Sequence, residues 1–142
     1  MERSGKPTHG RQPRILLACS GLILRRQLAA ALERADYSVI SCHGRRKAAV
    51  QLLAVGHDLL LTAVALPDWD GLELIRELRH HLLAPPVVAF AEDAGPMSEI
   101  YLNCAIALGA RRVYRAPLDI AALVEGVGQL LEARPGSIPR PL

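Results

Sequence analysis

The sequence predicts an α/β fold in which five parallel strands form a sheet covered by five helices. Short apolar runs alternate along the chain with longer segments whose apolar residues recur at helical spacing. The first run, residues 15–19, is apolar throughout, which is typical of a strand covered on both faces. Strands that alternate with helices in this way form parallel sheets with helices on both sides.

The individual elements follow from the apolar spacing and from helix-ending residues. The apolar runs predict strands over residues 15–19, 37–41, 58–63, 86–91 and 112–115. The helical spacing predicts helices over residues 22–35, 45–54, 71–82, 96–108 and 119–132, with Asp70 as the N-cap of the third and Gly109 ending the fourth. Right-handed crossovers and this length favour the flavodoxin-like doubly wound order 2-1-3-4-5.

Length and composition indicate one domain with polar ends. A chain of 142 residues suits a single domain, here residues 14–132. Residues 1–13 form a basic arm and residues 133–142 a Pro-rich tail, both predicted to be flexible. The net charge of +3 does not by itself indicate nucleic acid. No apolar stretch reaches the ~18 residues that span a bilayer, so we expect a cytoplasmic protein without membrane insertion.

Three segments carry a resemblance to a known family. Residues 66–74 read LPDWDGLEL, residues 33–39 read ERADYSV, and Gly109-Ala110 is followed by APLD at residues 116–119. Together they resemble the response-regulator receiver domains of bacterial two-component signalling. The resemblance extends from about residue 14 to residue 131. It places a commonly cis peptide bond at Ala116-Pro117, whose isomer the sequence leaves open.

The resemblance also identifies the positions that carry receiver chemistry. Receivers use an acidic pair that binds magnesium, an aspartate that takes the phosphoryl group, and a hydroxyl and a lysine that hold the phosphoryl oxygens. In this chain those positions are Cys19, Ser20, Ala63, Ala91 and Ala116. A methyl group is not a nucleophile, and magnesium requires oxygen ligands. We therefore expect no aspartyl phosphorylation, no resident metal, no cofactor and no enzymatic activity.

Other polar residues near the same edge each have a functional and a structural interpretation. Cys19 and Cys42 end neighbouring predicted strands and could form a redox pair, but we expect these and Cys104 to be reduced, buried thiols. A relocated metal site could be formed by Asp68, Asp70, Glu92 and Asp93. We expect instead that Asp70 caps a helix and that the other three are solvated loop charges. His80 and His81 diverge by ~100° on a helix and are expected at the surface.

The functional prediction is a stand-alone pseudo-receiver that acts through phosphorylation-independent protein–protein interaction. The resemblance implies a docking or homodimer face made by the fourth helix, fifth strand and fifth helix, with tyrosine and arginine as favoured anchors. The residues predicted there are Tyr101, Arg111, Arg112, Tyr114 and Arg115. The alternative is a small-molecule sensor that uses the space emptied by Ser20, Ala63, Ala91 and Ala116. Nucleic acid is not expected as a partner, because no DNA-binding module follows the last predicted helix.

Overall fold

The computed structural model of the chain describes residues 12–54, 56–66, 69–80 and 84–133. Five parallel strands form one sheet in the order β2-β1-β3-β4-β5, so the predicted doubly wound topology is confirmed. Most of the predicted arm and tail, together with Pro67, Asp68 and His81, lies outside the described residues. Gln12 and Pro13 are described: the Gln12 amide donates to the Asp36 carbonyl, and the Pro13 carbonyl accepts from the Ser38 N–H.

The observed elements match the predicted ones to within one residue at most of their ends. The strands are β1 Arg14–Ala18, β2 Ser38–Cys42, β3 Leu59–Ala63, β4 Val87–Phe90 and β5 Arg112–Tyr114. The helices are α1 Leu22–Arg34, α2 Arg45–Ala54, α3 Gly71–Leu78, α4 Pro96–Ala107 and α5 Ile120–Ala133. The prediction was wrong at the end of α3, which closes in a turn at Arg79 and His80 instead of continuing to residue 82.

The core lies on both faces of the central strands. All five residues of β3 and the last four of β1 are buried, which is why these strands read as continuous apolar runs. Leu28 and Leu32 of α1 cover one side together with other helical side chains. Burying a leucine or isoleucine side chain contributes about 1.5–3 kcal/mol, so this sheet provides the main stabilisation of the fold.

A short antiparallel ladder, not predicted from the sequence, connects β3 to α3. It pairs Ala65–Leu66 with Trp69–Asp70 and returns the chain to the end of β3. The Gly71 N–H then donates to the Val64 carbonyl at 2.9 Å. A Cβ atom at Gly71 would overlap the Ala63 carbonyl oxygen. Only glycine therefore allows α3 to begin directly against the end of β3.

Two glycines inside α5 allow two tyrosines to approach the helix backbone. A Cβ at Gly126 would overlap the Tyr114 hydroxyl, and one at Gly128 would lie 3.1 Å from the Tyr37 hydroxyl. Glycine in a helix interior costs about 1 kcal/mol relative to alanine, so close packing is the reason for its presence. Burial, and then the nearby Glu132 carboxylate, raise the pKa of Tyr37. Tyr114 joins α5 to β5, and Tyr37, the residue before β2, contacts α5 at Gly128.

Within the described part of the chain, no helix has the length and apolar character needed to cross a membrane.

Candidate functional site

The candidate site lies at the edge of the sheet where the carboxyl ends of the strands meet. In doubly wound sheets ligands bind at this edge, where the strand order reverses. The reversal here lies between β1 and β3. The structure brings to this edge every position that the resemblance identified: Cys19 and Ser20 after β1, Ala63 at the end of β3, Ala91 after β4 and Ala116 after β5.

The alanines provide no reactive group at this edge. Ala63 and Ala91 are buried, and Ala116 is half-buried. The nearest hydroxyl to Ala63 along β3 belongs to Thr62, and it donates to the Ala63 carbonyl at 3.0 Å. That hydroxyl is satisfied by the backbone of its own strand. The middle of the edge therefore consists of methyl groups and hydrogen-bonded backbone.

Glu92 reaches across the edge from the loop after β4 to the loop after β1. Its Oε2 atom accepts the Ser20 N–H at 3.0 Å and the Ser20 hydroxyl at 3.1 Å, and the Cys19 Sγ lies 3.5 Å away. The expectation that Glu92 is a solvated loop charge was therefore wrong. A carboxylate that accepts several hydrogen bonds is held firmly, because bonds to ionised acceptors are about twice as strong as neutral ones. Glu92 ties the two loops together.

Arg25 of α1 also contacts the loop after β1. Its Nη1 atom donates to the Cys19 carbonyl at 2.9 Å. A Cβ at Gly21 would lie 3.1 Å from Glu92 Oε1, which leaves little room between this loop and the Glu92 carboxylate. The first loop is therefore held by an arginine from its own helix and by a carboxylate from the fourth strand's loop.

The polar side chains described at this edge are hydrogen-bonded to neighbouring groups of the protein. Among residues 12–54, 56–66, 69–80 and 84–133, no group of three or more His, Cys, Asp or Glu side chains is arranged to hold a metal ion. Glu92 is bonded to Ser20, and Asp93 accepts the Ser98 hydroxyl at 3.2 Å. Asp68 lies outside the described residues, and the Asp70 side chain is likewise not described.

Burial and the Glu92 carboxylate raise the pKa of Cys19 to about 12. Both causes favour the neutral thiol, since a thiolate would lose hydration and face a negative charge. An unfolded cysteine titrates near pH 9. The contribution of Cys19 to stability is therefore complete below pH 9 and decreases as the pH rises towards 12.

The other two cysteines lie in different surroundings. Cys42 is buried, and its Sγ lies 3.7 Å from the Leu17 carbonyl oxygen, whereas the Cys19 Sγ points towards Glu92. All three cysteines are reduced thiols. The expectation that Cys104 is buried was wrong: it lies exposed on α4, because the apolar spacing in that helix does not distinguish its inner from its outer face.

We expect alkylation to separate these thiols. Iodoacetamide at pH 8 should modify native Cys104 alone, because the thiolate is the nucleophile and the Cys19 thiol keeps its proton until about pH 12. Mass spectrometry should show one added group in the native protein and three in denaturant, in line with the three cysteines. Rapid native modification of Cys19 would contradict its contact with Glu92.

The residues predicted for the interaction face lie on α4 and in or directly beside β5. Arg112 donates to the Gln129 side chain of α5 at 2.8 Å, and Tyr114 packs against Gly126 of the same helix. Arg115 pairs with Glu99 of α4, with its Nε 2.5 Å from Glu99 Oε2. Arg111 is exposed and Tyr101 half-buried. These contacts join α4, β5 and α5 into one continuous surface, the α4–β5–α5 face.

In the turn after β5 the Ala116-Pro117 peptide bond is cis, the isomer that the resemblance suggested.

Sequence reasoning placed Glu92 near the correct edge but did not identify its partner. One signal was available: Glu92 follows the predicted end of β4, and Ser20 follows the predicted end of β1. Parallel strands bring their carboxyl ends to one edge, and this rule would have placed the two residues near each other. What the sequence does not contain is the direction of the Glu92 side chain.

Comparison with known proteins places these features in context. Residues 21–127 match the response regulator receiver domain family. No curated protein matches the chain significantly. A response regulator structure from Chloroflexus aurantiacus is similar, with 25% identity and a TM-score of 0.79, covering 87% of this chain and 100% of that one.

Two further solved structures share the fold at lower identity. One is the receiver domain of a signal transduction histidine kinase from Syntrophus aciditrophicus, with 22% identity, a TM-score of 0.77, and coverage of 92% of this chain and 98% of that one. The other is a two-component response regulator from Clostridium difficile, with 21% identity, a TM-score of 0.76, and coverage of 86% and 98%.

Proposed function

Because this chain belongs to the response regulator receiver domain family, we propose that it is a pseudo-receiver acting by phosphorylation-independent protein–protein interaction. The observation that carries the proposal is the set of side chains at the candidate site, where the carboxyl ends of the strands meet. Ala63, Ala91 and Ala116 occupy the positions where receivers carry the phosphoryl acceptor and the groups that hold the phosphoryl oxygens. A methyl side chain can neither accept nor hold a phosphoryl group.

The polar groups of the loop after β1 and of the end of β3 are hydrogen-bonded within the protein. The Ser20 N–H and hydroxyl are bonded to Glu92, and the Thr62 hydroxyl is bonded to backbone. Phosphoryl transfer depends on positive groups that offset the developing charge. In the described part of the edge, the Arg25 guanidinium donates to backbone carbonyls. This arrangement supports a domain whose conformation does not depend on a phosphoryl group.

The Glu92 contacts offer a physical substitute for the missing switch. In the proposal, the carboxylate keeps the loops after β1 and β4 at one fixed separation. Those loops lead directly into α1 and α4, so holding them also holds the start of both helices. The α4–β5–α5 face is then presented permanently and needs no activation.

The α4–β5–α5 face has the composition of a docking surface. Glu99, Asn103 and Ile106 follow one another at helical spacing along one side of α4, and Glu99 contacts Arg115. Ile106 is 51% exposed, and Met97 and Ile100 are also exposed on this helix. An exposed large apolar side chain near an arginine is typical of interface centres. Ile106, on the same side of α4 as the Glu99–Arg115 pair, supports the use of that side as a contact surface.

A charge introduced into this face is expected to abolish partner binding. Wild-type protein and the Ile106→Glu variant would be used to capture partners from an extract of the native cells, with and without acetyl phosphate and magnesium. A buried unpaired charge at an interface commonly costs more than about 2 kcal/mol, so capture by Ile106→Glu should fall at least about thirtyfold. Quantitative mass spectrometry measures the change. Arg111→Glu tests the basic side of the same face.

The matched control is Val50→Glu, which changes another exposed apolar residue on a different helix, α2. It should capture the same partner as wild type. Sedimentation of purified protein over a range of concentrations separates a homodimer from a heteromeric complex. The proposal fails if the partner binds Ile106→Glu as well as wild type, or if binding requires the phosphoryl donor.

A further inference from the structure

Strand β2 is an open edge of the sheet. The strand order places it at one end, where β1 is its only neighbour among the described residues. Ser38, Ile40 and Ser41 are exposed, and Ile40 shows 39% of its surface to solvent. An edge strand presents main-chain N–H and C=O groups that can pair with another strand. β2 therefore offers a second surface, at the opposite end of the sheet from β5 and the α4–β5–α5 face.

The ladder between β1 and β2 shows which main-chain groups of β2 face outward. The Ser38 N–H donates to the Pro13 carbonyl at 2.9 Å, on the side of β1. Alternate residues of a strand direct their N–H and C=O groups to the same side, so those of Ser38 and Ile40 face β1. The main-chain groups of Val39 and Ser41 face away from the sheet. The outer side of β2 thus presents two N–H donors and two C=O acceptors.

The two edges of the sheet differ in how far they are protected against pairing. β5 is three residues long, contains Arg112, and lies between Arg111 and Arg115. Short length and charged side chains discourage an edge strand from pairing with another chain. β2 has five residues, reads SVISC, and contains no charge, proline or glycine. Its β-branched residues, Val39 and Ile40, favour an extended strand. The edge at β2 is therefore the one suited to pairing.

From these observations we infer that β2 pairs with β2 of a second copy of this chain, in antiparallel orientation, so that two sheets join into one. A two-fold axis at Ile40 places Val39 of each copy opposite Ser41 of the other, and each such pair exchanges two main-chain hydrogen bonds. Ile40 then lies directly opposite Ile40 of the other copy. This register uses all the outward main-chain groups of the strand and covers its exposed isoleucine.

The charges at the two ends of β2 favour a second copy in this orientation. Residues 33–36, before the strand, carry two carboxylates and one guanidinium, a net charge of −1. Residues 43–47, after the strand, carry three cationic side chains. Antiparallel pairing places the acidic end of each strand beside the basic end of the other, whereas parallel pairing would place the two basic ends together. Complementary charges of this kind fix the orientation of an interface.

Helix α1 extends the self-complementary surface. It packs over β2, and its Ala31 side faces α5. The side of α1 turned away from α5 carries, at helical spacing, Leu22, Arg26, Ala29 and Glu33. In the joined sheet the two copies of α1 lie on the same face and run antiparallel, with Arg26 of each towards the Glu33 end of the other. This contact adds buried area to a strand pairing that alone is small for a stable dimer.

This dimer goes beyond the docking function and uses a different surface. Analytical ultracentrifugation of the full chain should show a monomer–dimer equilibrium with a Kd of about 1–100 µM, as expected for a small interface. Ile40→Lys places two like charges opposite each other and should weaken the dimer at least about tenfold. Ile106→Glu on α4 is the matched control and should dimerise like wild type. Ile40→Lys should still capture the docking partner, so the two proposals fail separately.

Amide exchange and cross-linking test the register. The Val39 and Ser41 amides should exchange at least about tenfold more slowly in the dimer than in dilute monomer, because only the dimer gives them acceptors. In a Cys104→Ser background, mild oxidation of Ile40→Cys should give a covalent dimer, since opposed residues of such a pair have Cα atoms about 4.5 Å apart. The Cys104→Ser parent, whose remaining cysteines are buried, should give none.

The Ile40→Cys chain keeps the test informative if Ile40→Lys does not fold, because cross-linking reports on a neutral substitution. A wild-type chain that stays monomeric up to about 1 mM would overturn the proposal. So would a dimer in which folded Ile40→Lys associates like wild type, or in which the Val39 and Ser41 amides exchange as fast as in the monomer.

Discussion

Replacing Gly71 with alanine is expected to destabilise the fold by about 3 kcal/mol or more and to lower the unfolding temperature by about 10 °C. The added Cβ would overlap the Ala63 carbonyl oxygen, and the other close atoms belong to the backbone of Ala63 and Val64. Backbone cannot rotate away as a side chain can, so α3 must shift or the hydrogen bond from Gly71 to Val64 must break. Chemical and thermal denaturation measure the loss.

Gly56→Ala provides the matched control, because a Cβ at Gly56 meets no atom within 4 Å. Its free energy of unfolding should stay within about 0.5 kcal/mol of wild type. If Gly71→Ala unfolds at the wild-type temperature, α3 does not begin in close contact with the end of β3. Steric exclusion of a Cβ would then no longer explain why glycine occupies position 71.

Introducing an aspartate at position 63 is expected to weaken the fold without enabling phosphorylation. Ala63 is fully buried, and the resemblance assigns the magnesium-binding positions to Cys19 and Ser20 and the lysine position to Ala116. An unpaired buried carboxylate costs several kcal/mol, so Ala63→Asp should unfold about 10 °C below wild type at neutral pH. Burial raises the pKa of such a carboxyl, so the variant should recover stability as the pH falls and the group becomes neutral.

Ala63→Asn separates the charge from the change of shape. It has nearly the same size as aspartate and no charge, so it should lose less stability and show little dependence on pH. With acetyl phosphate and magnesium, mass spectrometry should detect no aspartyl phosphate in wild type or in Ala63→Asp. Labelling of Ala63→Asp would show that the edge still binds magnesium and stabilises a phosphoryl group, contrary to the chemistry of its side chains.

Most of the architecture could be predicted from local patterns. The apolar runs of β1 and β3 are continuous because both faces of a central strand are covered, and that property is visible in the order of residues alone. Gly109, with φ +114°, ends α4 in the left-handed region that favours glycine, as its position after the helix predicts. The short ladder before α3 escaped prediction, because two-residue strands leave no period to recognise.

The predicted interaction residues show which contacts cannot be read from local sequence patterns. Tyr114 and Arg112 were selected from the sequence for their chemical type, and the structure places both against α5. Their neighbours are Gly126 and Gln129, more than about ten positions away along the chain. Ile106 is not among the predicted residues, and in the structure it is half exposed. Isoleucine is usually buried, so its residue type does not indicate this exposure. Exposure of one side of a helix depends on what packs against it.

The sequence by itself determined the parallel α/β fold and predicted an edge without receiver chemistry, because strand and helix periods and the identity of Ala63 are properties of the chain alone. Only the tertiary structure decided which side chains contact one another at this edge. Glu92 bonds to Ser20 across 72 positions. Side-chain direction arises from packing between distant segments, so the order of residues does not contain it.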